Sequence, residues 1–196
     1  MTRKTLWAGL ASLVLVVALG TIWWVQQQGD DGEPRGGEVA LPSTQGEFSL
    51  ASMEDDELAV LFFGYTYCPD ICPMTLAVIR QALQQLDEQH AERLVPVLIT
   101  VDPARDTLER LEEYVGYFGE QFIGARGSEE QLDDIAERYN LFWRKHDMED
   151  SAMDYAVDHS SSMYLVDRHG EIRQRVLYSP TPHSLISAVR HEFNGG

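Results

Sequence analysis

Residues 58–74 read LAVLFFGYTYCPDICPM and combine a strand pattern with a pair of cysteines. The first part, Leu58–Gly64, is a short continuous apolar run, which is typical of a strand buried at the centre of a sheet. The second part carries both cysteines of the chain, Cys68 and Cys72. A helix over residues 72–88 is predicted next, from apolar residues at the helical spacing of Leu76, Ile79, Leu83 and Leu86. We therefore expect both thiols at a strand-to-helix junction.

Further strands follow along the chain. Residues Leu94–Val101 form a second continuous apolar run and Ser162–Val166 form a third, and each run predicts a buried strand. The sequence Asp167–Gly170 is typical of a turn, so the chain is expected to return as a hairpin over residues 171–177.

Helices are expected between and after these strands. Capping patterns predict helices through Phe118 after Asp106 and Glu109, through Tyr139 after Ser128 and Gln131, and through Phe193 after Thr181 and Pro182. The resulting order, β-α-β-α-(β)-α-β-β-α, predicts a largely parallel sheet with helices on both faces, made mixed by the closing hairpin. We expect a thioredoxin-like α/β domain, with a mixed sheet flanked by helices, over residues 48–196.

The N-terminal residues 1–25 have the pattern of a transmembrane anchor. Leu6–Val25 is an apolar run whose length, at about 1.5 Å per residue, spans the roughly 30 Å of a bilayer core. Arg3 and Lys4 precede the run, which favours an N-terminus in the cytoplasm. We expect a single-pass protein of the inner (cytoplasmic) membrane with its domain in the periplasm or outside the cell.

A cleaved signal peptide is the competing interpretation of this segment. Residues 18–20, Ala-Leu-Gly, are acceptable as a cleavage site. The apolar run continues beyond them through Trp23 and Trp24, which suit a membrane interface and favour the anchor. Residues 26–47 are polar, acidic and rich in glycine at their start, and are expected to form a flexible linker.

Composition excludes several classes of protein. The 196 residues include 15 Lys and Arg against 32 Asp and Glu, a net charge of −17, which argues against a nucleic-acid binder. Hydrophobic residues make up 44% of the chain, so a core is expected rather than global disorder. Two cysteines are too few for a disulfide-rich scaffold or a four-cysteine zinc site.

The positions of Cys68 and Cys72 favour chemistry at the thiols. The carboxyl end of a central strand is where sites form in open α/β sheets. The free N–H groups of a helix N-terminus lower the pKa of a nearby thiol, and a thiolate is both a nucleophile and a soft metal ligand. Two buried structural cysteines that merely lie close in sequence are the alternative.

His159 is the second candidate ligand. It is expected in the loop before the strand Ser162–Val166, and in this topology that loop faces the cysteine-bearing loop. A thioredoxin-type oxidoreductase places a proline in this loop to present its substrate, but residues 157–167 contain none. Two thiolates and one imidazole suit copper. Asp158 or a backbone carbonyl is expected to fix the tautomer of the imidazole.

Several segments together resemble the Sco/SenC family of copper chaperones. The resemblance covers about residues 48–193, and the matching segments are Phe62–Pro73, Ile99–Thr107, Gly127–Glu130, Ala136–Tyr139 and Tyr155–Ser160. The family commonly has His where this chain has Tyr67, at a position that is not a copper ligand in the family.

The resemblance implies a function and a ligand set. It implies that Cys68, Cys72 and His159 bind one Cu(I) or Cu(II) ion per domain. It also implies delivery of copper to the CuA subunit of cytochrome c oxidase, or maintenance of the thiols of that site. The partners expected with this role are a copper donor chaperone, a thiol reductant and the membrane, and we expect a metallochaperone rather than an enzyme.

Other interpretations stay open at this point. The cysteine pair also suits a thiol–disulfide oxidoreductase, in which one thiol attacks and the other resolves, or a redox sensor. The loop containing Asp102 and Arg105 follows a predicted strand at the same sheet edge, where it either lines the site or contacts a partner, or simply caps a helix. The acidic residues 147–154 suit a cationic partner or a solvated surface.

Overall fold

The structure is a computed structural model in which residues 20–21, 33–147 and 155–195 are described. The predicted membrane anchor lies outside the described residues except for Gly20 and Thr21, as does the acidic stretch 148–154. Within the part of the chain that is described, no helix combines the length and the apolar character needed to cross a membrane.

Residues 33–147 and 155–195 form nine strands and five α-helices. The strands are β1 (Ala40–Ser43), β2 (Gly46–Ser49), β3 (Leu58–Gly64), β4 (Leu94–Thr100), β5 (Ile123–Ala125), β6 (Trp143–Asp147), β7 (Tyr155–His159), β8 (Met163–Val166) and β9 (Ile172–Val176). The helices are α1 (Ile71–Gln85), α2 (Glu88–Glu92), α3 (Leu108–Gly116), α4 (Glu129–Tyr139) and α5 (His183–Phe193).

Seven of these strands make one mixed sheet in the order β2-β1-β5-β4-β3-β8-β9. Strands β3, β4 and β5 are parallel, whereas β8 runs antiparallel to β3 and β9 runs antiparallel to β8. Together with its flanking helices, this sheet confirms the thioredoxin-like α/β fold that the sequence predicted.

Strand β3 lies at the centre of the sheet and sets the position of the loops that follow it. All seven of its residues are buried, as the continuous apolar run predicted. It pairs with β4 in register from Leu58 opposite Leu94 to Gly64 opposite Thr100. Because parallel strands in register end at the same edge, the cysteine-bearing loop and the Asp102 loop are neighbours in space.

The N-terminal part of the domain begins earlier than residue 48. Strands β1 and β2 form an antiparallel hairpin that begins inside the predicted linker, residues 26–47, and continues to Ser49. The chain just before the hairpin is also bonded to the domain, since the N–H of Gly37 donates to the carbonyl of Gly170 at 2.8 Å. Gly170 lies in the turn between β8 and β9.

The start of α4 agrees with the start predicted from the sequence, and the start of α3 does not. Ser128 forms the predicted capping box with Gln131 before α4. At α3 the prediction was wrong, because Thr107, not Asp106, is the cap, and its hydroxyl accepts a hydrogen bond from the N–H of Arg110. The helix therefore begins at Leu108. Helix α5 begins directly after Pro182, one residue later than predicted.

Asp106 has a different role from the one predicted. Its carboxylate is fully buried and accepts hydrogen bonds from the hydroxyls of Thr66 and Thr100, each at 2.6 Å, and from the N–H of Thr66 at 3.0 Å. It thereby joins the ends of β3 and β4. A cap position must face the free N–H groups of its own helix, and these contacts hold Asp106 away from them.

Strands β6 and β7 form a separate two-stranded sheet that was not predicted from the sequence. The prediction that His159 lies in a loop was therefore wrong, because it is the last residue of β7 and pairs with Trp143 of β6. Strand β6 reads WRKHD and is exposed at four of its five positions. Such a segment has neither an apolar run nor an alternation that would predict a strand.

Candidate metal centre

The strand-to-helix junction places both cysteines in one turn of chain. Strand β3 ends at Gly64 and α1 begins at Ile71, so Cys68 precedes the helix and Cys72 lies in its first turn. The N–H of Cys72 donates a hydrogen bond to Sγ of Cys68 at 3.4 Å. The Asp70 side chain at the cap position makes no capping bond. The Cys68 sulfur thus accepts one of the free N–H groups at the start of α1.

The two thiols have different pKa values because Cys68 accepts hydrogen bonds, whereas Cys72 is more deeply buried. The hydrogen bond from the Cys72 side chain, with a smaller contribution from His159, lowers the pKa of Cys68 to about 4 although burial opposes this. Burial, reinforced by the neighbouring Cys68 sulfur, raises the pKa of Cys72 well above that of an ordinary thiol. Of the two sulfurs, Cys68 is therefore the one whose surroundings favour the thiolate, and Cys72 the one whose surroundings favour the thiol.

His159 completes the group from the opposite side. Its Nε2 atom lies 3.2 Å from Sγ of Cys72, and its Nδ1 atom lies 3.0 Å from the carbonyl oxygen of Ser160. Since a carbonyl only accepts, Nδ1 carries a hydrogen and Nε2 is the ring nitrogen that faces the sulfurs. Of the two partners considered from the sequence, the backbone carbonyl fixes the tautomer, whereas Asp158 pairs with His146 across the hairpin.

The three side chains offer a compact set of ligand atoms. The two Sγ atoms and the imidazole nitrogen all lie within 4.8 Å of one another. Both cysteines are buried and His159 is half-buried. All three residues singled out from the sequence are thus brought together. Two soft sulfurs and one imidazole form a donor set that suits Cu(I), and both cysteines are free thiols.

Gly64 makes room for the Cys72 sulfur. A Cβ atom at this position would lie 2.8 Å from Sγ of Cys72 and 2.9 Å from the ring of Phe62. These distances are shorter than side chains tolerate, so the last residue of β3 has to be glycine for the sulfur to occupy its place. In the sequence Gly64 is only the end of an apolar run, because a close approach of this kind has no local sequence signal.

Tyr65 connects the dithiol strand to the hairpin that carries His159. Its phenol oxygen accepts a hydrogen bond from the N–H of Val157 at 3.1 Å, and the residue is buried. Its ring meets the imidazole edge-on, with centroids 5.9 Å apart, and the ring of Phe62 does the same at 6.0 Å. The imidazole is therefore held between two aromatic rings, a role that no local sequence pattern predicts for either residue.

The loop after β4 contacts the hairpin rather than the sulfurs. The carboxylate of Asp102 is fully buried and accepts hydrogen bonds from Nε of Arg105 and, at 2.7 Å, from the hydroxyl of Tyr155. Burial, and then this bond to Asp102, raise the pKa of Tyr155 to about 12, so the phenol stays protonated and donates. Lys145 lies 3.9 Å from the same carboxylate.

Comparison with known proteins agrees with this geometry. The SCO1/SenC family model matches residues 27–194 of the chain. An SCO2-like protein of Rickettsia conorii is 32% identical over 163 residues, which cover 83% of this chain and 79% of the relative.

Two solved structures are similar over most of the chain. The crystal structure of Arabidopsis thaliana ScoI with copper bound superposes with a TM-score of 0.71 at 32% identity, covering 82% of this chain and 98% of that one. The crystal structure of yeast Sco1 with copper bound gives 0.70 at 28% identity, covering 83% and 91%. The match of the family model over most of the chain, and the identity to a relative of similar length, show that this protein belongs to the SCO1/SenC family.

Proposed function

We propose that the protein binds one copper ion through Cys68, Cys72 and His159 and passes it to an acceptor protein. The observation that carries this proposal is the convergence of two sulfurs and one imidazole nitrogen within 4.8 Å of one another. The copper-bound structures of Arabidopsis ScoI and yeast Sco1 support copper as the ion.

A three-ligand site at the edge of the sheet suits transfer rather than storage. Cys68 precedes α1 and His159 ends β7, so two of the three ligands come from the ends of elements and not from their interiors. An acceptor with more ligands takes the ion by replacing them one at a time. We propose the CuA subunit of cytochrome c oxidase as the acceptor, as the Sco/SenC resemblance implies, with a copper donor chaperone upstream.

We propose that this transfer takes place outside the cytoplasm. The apolar run Leu6–Val25 and the preceding Arg3 and Lys4 support a single-pass anchor in the inner (cytoplasmic) membrane, with the domain in the periplasm or outside the cell. A thiol reductant is then required, because copper binding needs both thiols reduced in an oxidising compartment. Protease accessibility in spheroplasts tests the orientation: cleavage of the domain from outside is expected, and full protection contradicts it.

Competitive titration tests the metal site. The reduced full-length chain, purified in detergent, is titrated with Cu(I) against a chelator of known affinity, together with the variants Cys68→Ala and His159→Ala. We expect one tightly bound copper, lost in the cysteine variant and weakened in the histidine variant. Competitive binding that is unchanged in His159→Ala would show that the ligand set is wrong.

A thiol–disulfide oxidoreductase is the second candidate, favoured by the low pKa of Cys68 beside a second thiol. In this reaction the Cys68 thiolate attacks a substrate disulfide and forms a mixed disulfide, and Cys72 then attacks Sγ of Cys68, which releases the substrate as a thiol. The two thiols are oxidised to one disulfide, and the substrate takes up two electrons and two protons. His159→Ala separates the candidates, since it weakens copper binding and leaves a dithiol reaction largely intact.

A further inference from the structure

The hairpin that carries His159 is not part of the main sheet. Among the described strands, β6 and β7 pair only with each other. The seven-stranded sheet therefore holds Cys68 and Cys72 through β3 and α1, while the third ligand depends on contacts that fix β7 against the rest of the domain. The position of His159 is decided by those contacts.

Arg105 makes several of these contacts at the start of β7. Its Nη1 atom donates to the backbone carbonyl of Tyr155 at 2.9 Å, and its guanidinium carbon lies 3.6 Å from the centroid of the Tyr155 ring. Its Nε atom donates to the buried carboxylate of Asp102, and the same carboxylate accepts the hydroxyl of Tyr155. The first residue of β7 is thus held at both its backbone and its side chain.

A second attachment lies further along the same strand. The N–H of Val157 donates to the phenol oxygen of Tyr65. Attachments at the first and third residues fix the direction of a five-residue strand, and the fifth residue is His159. A strand rises about 3.3 Å per residue, so an attachment at Tyr155 lies about 13 Å along the strand from the ligand it controls.

We propose that Arg105, braced by the buried Asp102, is a positioning residue for the metal ligand His159. It touches none of the three ligand atoms and acts through β7. The inference rests on the proposed function, in which His159 is a copper ligand. Removal of the guanidinium releases the carbonyl of Tyr155 and leaves a buried carboxylate with one donor fewer, so β7 is free to move away from the sulfurs.

The test compares two arginines that bond to the same types of group, a carboxylate and backbone carbonyls, although the carboxylate beside Arg105 is buried and that beside Arg138 is exposed. Arg138 also pairs with a carboxylate, Asp134, and donates to backbone carbonyls of another segment, at Gly36 and Glu38, but these lie outside the site. In the full-length chain purified in detergent, Arg105→Ala is expected to weaken Cu(I) binding by about 10–100-fold, which is the usual effect of replacing a residue that orients a metal ligand. Arg138→Ala is expected to leave copper affinity unchanged.

A spectroscopic measurement separates positioning from general destabilisation. In the Cu(II)-loaded protein, the nitrogen hyperfine coupling of the imidazole in the electron paramagnetic resonance spectrum is expected to fall in Arg105→Ala and to persist in Arg138→Ala. In the His159→Ala background, Arg105→Ala is expected to cause no further loss of affinity, because the ligand it positions is already gone.

The outcomes are distinct. Unchanged affinity and nitrogen coupling in Arg105→Ala overturn the inference, and so does an additive loss in the double variant. If His159→Ala itself changes neither quantity, the proposed ligand set fails instead. If Arg105→Ala does not fold, Tyr155→Phe removes only the hydroxyl bond to Asp102. In Tyr155→Phe, a loss of copper affinity and of nitrogen coupling that is smaller than the loss expected for Arg105→Ala then supports the inference. Unchanged values of both overturn it.

Discussion

Gly64 approaches Cys72 so closely that a single methyl group would collide with the sulfur, at 2.8 Å from Sγ. We expect Gly64→Ala to lower the free energy of unfolding by about 1–3 kcal/mol, because a well-packed core resists added volume. The displaced sulfur should also bind copper more weakly. Chemical denaturation and Cu(I) competition measure the two effects.

Gly116→Ala is the matched control for this substitution. Gly116 is the last residue of α3, and a Cβ atom there meets nothing within 4 Å. Alanine is expected to leave copper affinity unchanged and to stabilise the helix by up to about 1 kcal/mol. If both variants bind copper equally well, glycine is not required at residue 64 to leave room for the Cys72 sulfur.

Removal of one hydroxyl should affect the metal site from a distance. In Tyr65→Phe the N–H of Val157 loses its acceptor, which is expected to cost about 1–3 kcal/mol of stability. Because β7 is then held less firmly, copper affinity should fall as well. Tyr164→Phe also removes a buried bond, from its hydroxyl to the carbonyl of Tyr139, but should lower stability alone. Equal copper affinities in the two variants would contradict this.

The acidity of Cys68 predicts an unusual pH dependence of thiol reactivity. With a pKa of about 4, the reduced apo protein should be alkylated by iodoacetamide at about pH 5, where ordinary thiols are almost inert. One equivalent is expected, at Cys68, since Cys72 stays protonated and has no exposed surface, whereas 8% of Cys68 is exposed. A rate that rises only near the pKa of a free thiol would show that the Cys72 hydrogen bond does not act as the geometry indicates.

The same pKa links stability to pH with a definite sign. A thiol whose pKa is lowered by folding stabilises the folded state fully above its unfolded pKa, near 9, and this contribution is lost as the pH falls through the folded pKa of about 4. The difference in unfolding free energy between the reduced apo chain and its Cys68→Ala variant should therefore shrink as the pH is lowered across this range. A difference that is constant with pH would rule out a depressed pKa.

Asp106 and Thr107 should contribute very differently to stability. Asp106→Ala removes the acceptor of three buried donors, two on Thr66 and one on Thr100, and is expected to cost about 3 kcal/mol. Thr107→Ala removes only a helix cap and is expected to cost about 1 kcal/mol. The reverse order in a denaturant titration would mean that Asp106 caps α3 after all.

Much of the fold could be read from local patterns. The seven apolar residues of β3 and the capping box at Ser128 are both properties of a few adjacent residues, and both are present as predicted. The cysteine pair could be placed for the same reason, since it directly follows an apolar strand. These features depend on periodicity and turn chemistry, which a single sequence contains.

Features that depend on distant partners could not be read in this way. Asp106 resembles a cap in sequence, yet its partner Thr66 is forty residues away, and the bond from Arg105 to Tyr155 spans fifty. Strand β6 is stabilised by its pairing with β7 rather than by an apolar pattern of its own. His159 could be named from the sequence as a candidate ligand, but the strand and the contacts that position it could not.

The bond between Gly37 and Gly170 fixes where the polypeptide enters the domain. Gly170 lies beyond Val166, which pairs with Ala59 near the start of β3, whereas the thiols follow its end. The point where residue 37 joins the domain and the loop that carries the thiols are therefore separated by most of the length of β3, about 16 Å from Ala59 to Gly64. Residues 33–37 therefore do not cover the sheet edge that carries Cys68 and Cys72, and that edge stays accessible past this entry segment.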